Sequence, residues 1–162
     1  MAKENEKKKR KPRKGIRKKR GMDEKVQKLI AHTEEVLRDS MEPVTIQGLN
    51  GYQRKLVHQY FEKTQEYRVK TYRETENVFM KVYPVGKLRR VAEQKTQEVL
   101  MKGKAEVLPP MGSFERFIIH DYLKDRDGIK TESYGEEGKD RHVEIHPLFG
   151  RSPKKAKRRL TR

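Results

Sequence analysis

The chain has no cysteine, which excludes disulfides and cysteine-ligated zinc and fits a reducing compartment. Long apolar runs are also missing. The longest, such as Phe117-Ile118-Ile119, fall far short of the roughly 20 residues that cross a bilayer as a helix. No apolar stretch follows the basic start of the chain, so no signal peptide is expected. The expectation is a cytoplasmic protein without membrane attachment. Aromatic residues are scarce at 7%, and 32% hydrophobic against 40% charged residues leaves material for only a modest core. A length of 162 residues then suits one domain or two very small ones, with part of the chain unfolded.

Catalytic signatures are equally thin. There is no phosphate-binding loop, nucleophile elbow or paired-carboxylate motif, and Gly86-Lys87 lacks the glycine-rich run before it. No enzyme, cofactor or small-molecule substrate is expected. His142 and His146, four apart on a strand, share a face. With His120 they invite a metal, but no cysteine or evidently spaced carboxylate completes such a site, so none is expected.

What the chain does have is positive charge, and its placement matters more than its net value of +17. Residues 1–21 carry twelve Lys/Arg against Glu4 and Glu6, a net of +10, and residues 151–162 carry seven with no acid. The remaining 22–150 hold 22 basic and 22 acidic residues and are neutral. Such runs repel themselves and stay extended, so both ends read as disordered basic arms. Lys7, Lys8, Lys9, Arg10, Lys11, Lys18, Lys19, Arg20, Lys157, Arg158 and Arg159 are the expected phosphate contacts, because each neutralised phosphate releases counterions.

Between the arms the pattern runs helix, strand, helix, strand, strand, and then repeats. Apolar residues at spacings of three and four predict a helix over 22–40, with Asp23 and Glu24 in the favoured acidic first turn. A strand over 44–46 follows, then a helix over 52–63 capped by Asn50. Strands over 68–71 and 78–83 close the first series before Pro84. The second series has a helix over 88–102, a strand over 105–108, a helix over 114–124 capped by Ser113, and strands over 129–133 and 142–146. The fold class is therefore α+β: two modules, 22–85 and 86–150. The stretch from Leu49-Asn50-Gly51-Tyr52-Gln53-Arg54 to His58 matches that from Met111-Gly112-Ser113-Phe114-Glu115-Arg116 to His120 at an offset of 62. Val69-Lys70-Thr71 answers Ile129-Lys130-Thr131, and Val82-Tyr83-Pro84 answers Ile145-His146-Pro147. Internal repeats of this kind point to one supersecondary unit used twice.

The repeat centres on Arg-x-x-x-His. Arg54 with His58, and Arg116 with His120, stand one helical turn apart on one face. Two cationic groups side by side make sense if both address a common anion. Arg offers a planar fork to phosphate, and His donates to phosphate or stacks on a base. Phe114-Glu115-Arg116 with His120, then Thr131-x-Ser133-x-Gly135-Glu136-Glu137 and Arg141-x-Val143-x-Ile145, resembles the R-three-H domain, and is similar to the last module of bacterial Jag-type proteins. The resemblance covers roughly 88–147. It implies a three-stranded antiparallel sheet with two helices on one face, and sequence-tolerant binding of single-stranded RNA or DNA. The positions it carries over are Arg116, His120 and Arg141. Lys130, and Tyr134 as a stacking residue, join them in the expected site. Glu136 and Glu137 would repel phosphate and are read as pairing with nearby basic groups. Tyr52, Phe114, Tyr60 and Tyr122 are read as core.

The first module departs from the pattern. It keeps Arg54 and His58, but Tyr72-Arg73-Glu74-Thr75-Glu76-Asn77 replaces the Gly-Glu-Glu loop, and Phe79 or Met80 falls where Arg141 would be. Gly48-Leu49-Asn50-Gly51 also has the form of a KH loop, a structural alternative for this module that requires more structure upstream. The functional expectation is a nucleic-acid-binding protein. The alternative is a ribosome-associated or ribosomal protein whose arms contact rRNA.

Overall fold

A computed structural model describes residues 24–75 and 77–148. The arms, their expected phosphate contacts, and Asp23 lie outside the described residues. Ten elements follow one another: α1 (Glu24–Asp39), β1 (Val44–Ile46), α2 (Gly51–Phe61), β2 (Arg68–Arg73), β3 (Val78–Tyr83), α3 (Val85–Lys102), β4 (Glu106–Val107), α4 (Ser113–Leu123), β5 (Ile129–Tyr134) and β6 (His142–Pro147). They build two antiparallel three-stranded sheets with the same order, β1-β3-β2 and β4-β6-β5. The fold class is α+β, with the same five-element series traversed twice.

The apolar spacing explains the burial. On α1, Val26, Ile30, Thr33 and Leu37 are the buried positions, and on α3 they include Leu88, Ala92, Thr96 and Val99. Spacings of three and four put each set on one face. The two buried threonines donate to the carbonyl one turn back, Thr33 to Leu29 and Thr96 to Ala92, both at 2.8 Å. Neither buried hydroxyl is thereby left unpaired. One core gathers Val26, Ile30, Val57, Phe61, Met80 and Val82; the other gathers Leu88, Ala92, Ile119, Leu123, Val143 and Ile145. In each half, both helices lie on one face of their sheet.

The halves are joined by Pro84 alone. Tyr83, the last residue of β3, is buried in the second core, with Phe114 of α4 edge-on at 4.6 Å. The Gly86 amide donates to the Glu66 carbonyl at 2.9 Å, and Arg90 reaches the Glu66 carboxylate at 2.8 Å. Side-chain space at Gly86 is already filled by Glu66; α3 begins at Val85, earlier than its apolar period suggests.

Strand pairing corrects one alignment. Arg68 faces Tyr83 and Tyr72 faces Phe79, while Lys130 faces His146 and Tyr134 faces His142. Equivalent partners are therefore Arg68 with Lys130, Lys70 with Glu132, and Tyr72 with Tyr134. Matching Val69-Lys70-Thr71 to Ile129-Lys130-Thr131 slips by two residues, one strand period, which preserves the face but misassigns the partner. Upstream of Gly48-Leu49-Asn50-Gly51 the described residues hold only α1 and the three-residue β1. That falls short of what the KH alternative requires.

Helix starts differ between the halves. Asn50 forms a full capping box with Gln53: its side chain accepts from the Gln53 amide at 2.9 Å, and the Gln53 side chain accepts from the Asn50 amide at 3.1 Å. In α4 the cap is Gly112, without a side-chain bond, and Ser113 is already helical. The expected Ser113 cap is one residue late. Asn50→Ala is expected to lower unfolding stability by about 1 kcal/mol, whereas Ser113→Ala stays within about 0.5 kcal/mol. Urea titrations of both variants check this.

Candidate nucleic-acid interface

Arg116 stands one turn into α4. Its Nη1 donates to the Met111 carbonyl at 2.7 Å and its Nη2 to Glu137 Oε2 at 2.5 Å. Its side chain is only 8% exposed, while that of Glu137 is 56% exposed. Glu137 is delivered by the loop between β5 and β6. Gly135 opens that loop at φ +94°, where an added Cβ would meet the Asp140 carbonyl oxygen at 2.8 Å, so glycine is required there. The Glu136 amide donates to Asp140 Oδ1 at 2.8 Å, and Lys139 pairs with Glu136 at 2.8 Å. Arg141 approaches Glu137 at 3.7 Å, and its buried Nε has no hydrogen-bond partner among the described residues. The loop acids are thus engaged by basic groups.

His120, one turn after Arg116, points at β5. Its Nδ1 lies 2.7 Å from Thr131 Oγ1 and its Nε2 2.7 Å from Ser133 Oγ. Burial, and then the neighbouring Arg116 charge, holds the imidazole below its ordinary pKa. The neutral ring suits this position, donating to one hydroxyl and accepting from the other. The expected picture of Arg116 and His120 aimed together at one anion is therefore corrected. Arg116 turns to the loop, His120 to the strand, and both are satisfied inside the protein. A buried guanidinium left unpaired would be too costly for any other arrangement.

The first half repeats this wiring in part. Arg54 donates to the Leu49 carbonyl at 2.5 Å, five residues back as in Arg116 to Met111. His58 Nε2 lies 2.9 Å from Thr71 Oγ1, the position equivalent to Ser133, while its Nδ1 turns to Glu62 at 3.1 Å. No equivalent of the Glu137 contact forms on Arg54 among the described residues.

The remaining expected residues separate into two places. Arg141 lines a groove of about 330 Å³ with Lys139, Glu137, Gly138 and the 110–112 segment. A cleft of about 740 Å³ shares Glu42 and residues 110–112 with it. Lys130 and Tyr134 alternate with Thr131 and Ser133 along β5, so they lie on the opposite sheet face from His120. Both meet Glu132 there, Lys130 at 3.0 Å and Tyr134 through a short hydrogen bond. Tyr52 and Tyr122 are exposed, not core, and Tyr122 lies under Arg89. Thr131 and Ser133 were missed as partners of His120. Their spacing of two, which puts them on one strand face, was the signal. No group of three or more His, Asp or Glu among the described residues is arranged to hold a metal, and no helix there is long and apolar enough to cross a membrane.

This loop, buried arginine and strand-facing histidine lie within one recognisable segment. Residues 86–147 match the R-three-H domain. That domain is a nucleic-acid-binding module, and the match supports a general nucleic-acid-binding role. No curated protein and no solved structure matches the chain.

The lowered His120 pKa makes a signed prediction. Unfolded, the imidazole titrates at about 6.5; folded, it holds its proton only at lower pH. The unfolded chain then binds more protons, so stability falls as pH drops from about 6.5 through the folded pKa. His142, raised chiefly by donating to the Asp140 carbonyl, acts in the opposite sense: its contribution is present at low pH and lost as pH rises. His120→Gln is expected to remove the acid-side fall and leave the His142 trend. Thermal unfolding of both chains between pH 5 and 8 makes the comparison.

Proposed function

We propose that the protein binds single-stranded RNA or DNA through the groove formed by the 110–112 segment and the 135–141 loop, and that its basic arms add affinity and salt sensitivity. The observation that carries this reading is the R-three-H domain match over 86–147; Arg116, His120 and Arg141 are the positions that the resemblance of the motifs carries over. The geometry adds a chemical detail. Glu137 lies with its half-exposed carboxylate between two guanidinium groups, where a phosphate would be equally well received. In this reading an incoming phosphate displaces Glu137 and engages Arg141 first, because Arg141 is the more exposed of the two arginines. Arg116 and His120 shape the site from beneath. No reaction step is assigned; the role is binding.

The test is fluorescence anisotropy with labelled single-stranded RNA, single-stranded DNA and duplex DNA across a salt series, on the full chain and on residues 22–150. Arg141→Ala is expected to weaken single-strand binding by roughly 1–3 kcal/mol. Glu137→Gln is expected to strengthen it, since a competing carboxylate is removed. Arg116→Ala must be read beside its unfolding curve, because the buried guanidinium also stabilises the fold. If only the full chain binds, with a steep salt slope and no strand preference, the groove is not the site.

A second reading rests on the charge partition. A neutral centre flanked by arms of +10 and +7 suits threading into rRNA, with the folded halves as spacers. Co-sedimentation with ribosomal subunits that survives high salt supports that reading, and its loss at modest salt counts against it.

A further inference from the structure

The faces of the two sheets turned away from the helices use the same backbone positions with opposite chemistry. The second sheet carries Lys130, Glu132 and Tyr134 on β5 and His142, Glu144 and His146 on β6. Strand register matches these to Arg68, Lys70 and Tyr72 on β2 and Phe79, Lys81 and Tyr83 on β3. Both glutamates are replaced by lysines, and both histidines by aromatic rings.

In the second sheet, Glu132 and Glu144 face each other across the strands, and each has polar neighbours. Lys130 pairs with Glu132 at 3.0 Å, and His146 approaches Glu144 at 3.1 Å. In the first sheet, Lys70 and Lys81 face each other directly, which disfavours folding. Among the described residues no carboxylate lies within ion-pair distance of either. Their ammonium groups meet rings instead: Lys70 lies 3.4 Å from the centroid of Phe114, and Lys81 lies 5.5 Å from Tyr72 and 5.9 Å from Phe79.

The rings form an ordered surface. Tyr72 and Phe79 stack at 5.2 Å with 13° between their planes, and the Tyr72 hydroxyl lies 2.7 Å from that of Tyr83. Across the module boundary, Phe114 and Phe117 of α4 stack at 6.2 Å. Lys70, Tyr72, Ser113, Phe114 and Phe117 line an open cleft of about 510 Å³ with no acidic residue in its wall. Phe117 is 59% exposed, unusual for a phenylalanine with a core nearby.

We propose that this face, the open side of β2 and β3 walled by α4, is a second site for single-stranded nucleic acid, with bases stacked on Phe117, Tyr72 and Phe79 and phosphates held by Lys70, Lys81 and Arg68. Unpaired cations interleaved with flat rings are what a single strand recognises: each base has a stackable face and each linkage one negative charge. A duplex hides its base faces and fits this surface poorly. The site rests on the nucleic-acid-binding reading above but uses none of the groove residues. It gives the first module a role of its own.

The chain has no tryptophan, so Phe117→Trp installs a single fluorescent reporter at the mouth of the cleft. Oligothymidylate and oligouridylate are expected to quench its emission saturably, as a base stacks on the indole. Adding Lys70→Ala and Lys81→Ala is expected to raise the half-saturation concentration at least about tenfold and flatten the salt slope by about 1.4, the share of two phosphate contacts on a single strand. A labelled strand that gains anisotropy while the emission stays unchanged is held elsewhere; that overturns this site and leaves the groove reading standing. No change in either signal overturns both. Equal quenching by duplex DNA overturns the single-strand assignment. Should the reporter chain fail to show wild-type circular dichroism, Lys70→Glu and Lys81→Glu in the unaltered chain carry the test by anisotropy, and affinity within about twofold of wild type overturns the proposal.

Discussion

The Arg116 guanidinium is the interaction on which the second module's geometry depends. Almost wholly buried, it ties three separate pieces of backbone together: the start of α4, the Met111 carbonyl before it, and, through Glu137, the loop between β5 and β6. Removing a charge from water is costly, and the arrangement is tolerable because one partner is a carboxylate that still touches solvent and the other is a fixed carbonyl. The placement of Arg141 follows from this. Its carbonyl accepts from the Met111 amide at 3.0 Å, so the end of the loop that leads into β6 is bonded to the segment that Arg116 holds. The Arg-x-x-x-His arginine thus acts here as a bracket, and the groove is its outer surface.

The two halves share an element order, and their side chains show what that order keeps and what it changes. Interior wiring recurs: an arginine to the carbonyl five residues back, a histidine to a hydroxyl on the neighbouring strand, a buried threonine on the preceding helix. The open face of the sheet diverges, because side chains there answer to no core of their own module. A slip in strand pairing would exchange these faces, so the buried Val69, Met80 and Val82 hold Lys70 and Lys81 on the open face. Specialisation of the first module therefore costs its fold little beyond the mutual repulsion of two lysines.

Much of the architecture was legible in the residues. Apolar spacing located the four described helices, short apolar runs located the strands, and Asn50 announced a cap. The spacing of Arg116 and His120 placed them on one face, and the loop acids were read as partners of basic groups. What spacing cannot convey is the direction in which a side chain turns. Arg116 is turned by Glu137, twenty-one residues away, through a loop whose shape depends on left-handed glycines. Which residue caps α4 was ambiguous because Gly112 and Ser113 both suit the position. The aromatic face of the first sheet was hidden for a different reason: its rings come from β2, β3 and α4, and only the strand register and the docking of the two modules bring them together. Tyr52 and Tyr122 were misread because a helical position says nothing of whether another element covers it.

Pro84 is the one-residue linker between the halves, and it leads from a buried Tyr83 straight into α3. A ring-locked φ angle with an anchored residue on each side leaves almost no hinge. The two exposed faces are held like the jaws of a fixed-gauge caliper. A ligand that spanned both faces would meet them at a set distance, without the entropy that a floppy tether would lose. The spacing between the two faces is thereby written into a single peptide junction and is a property of backbone geometry.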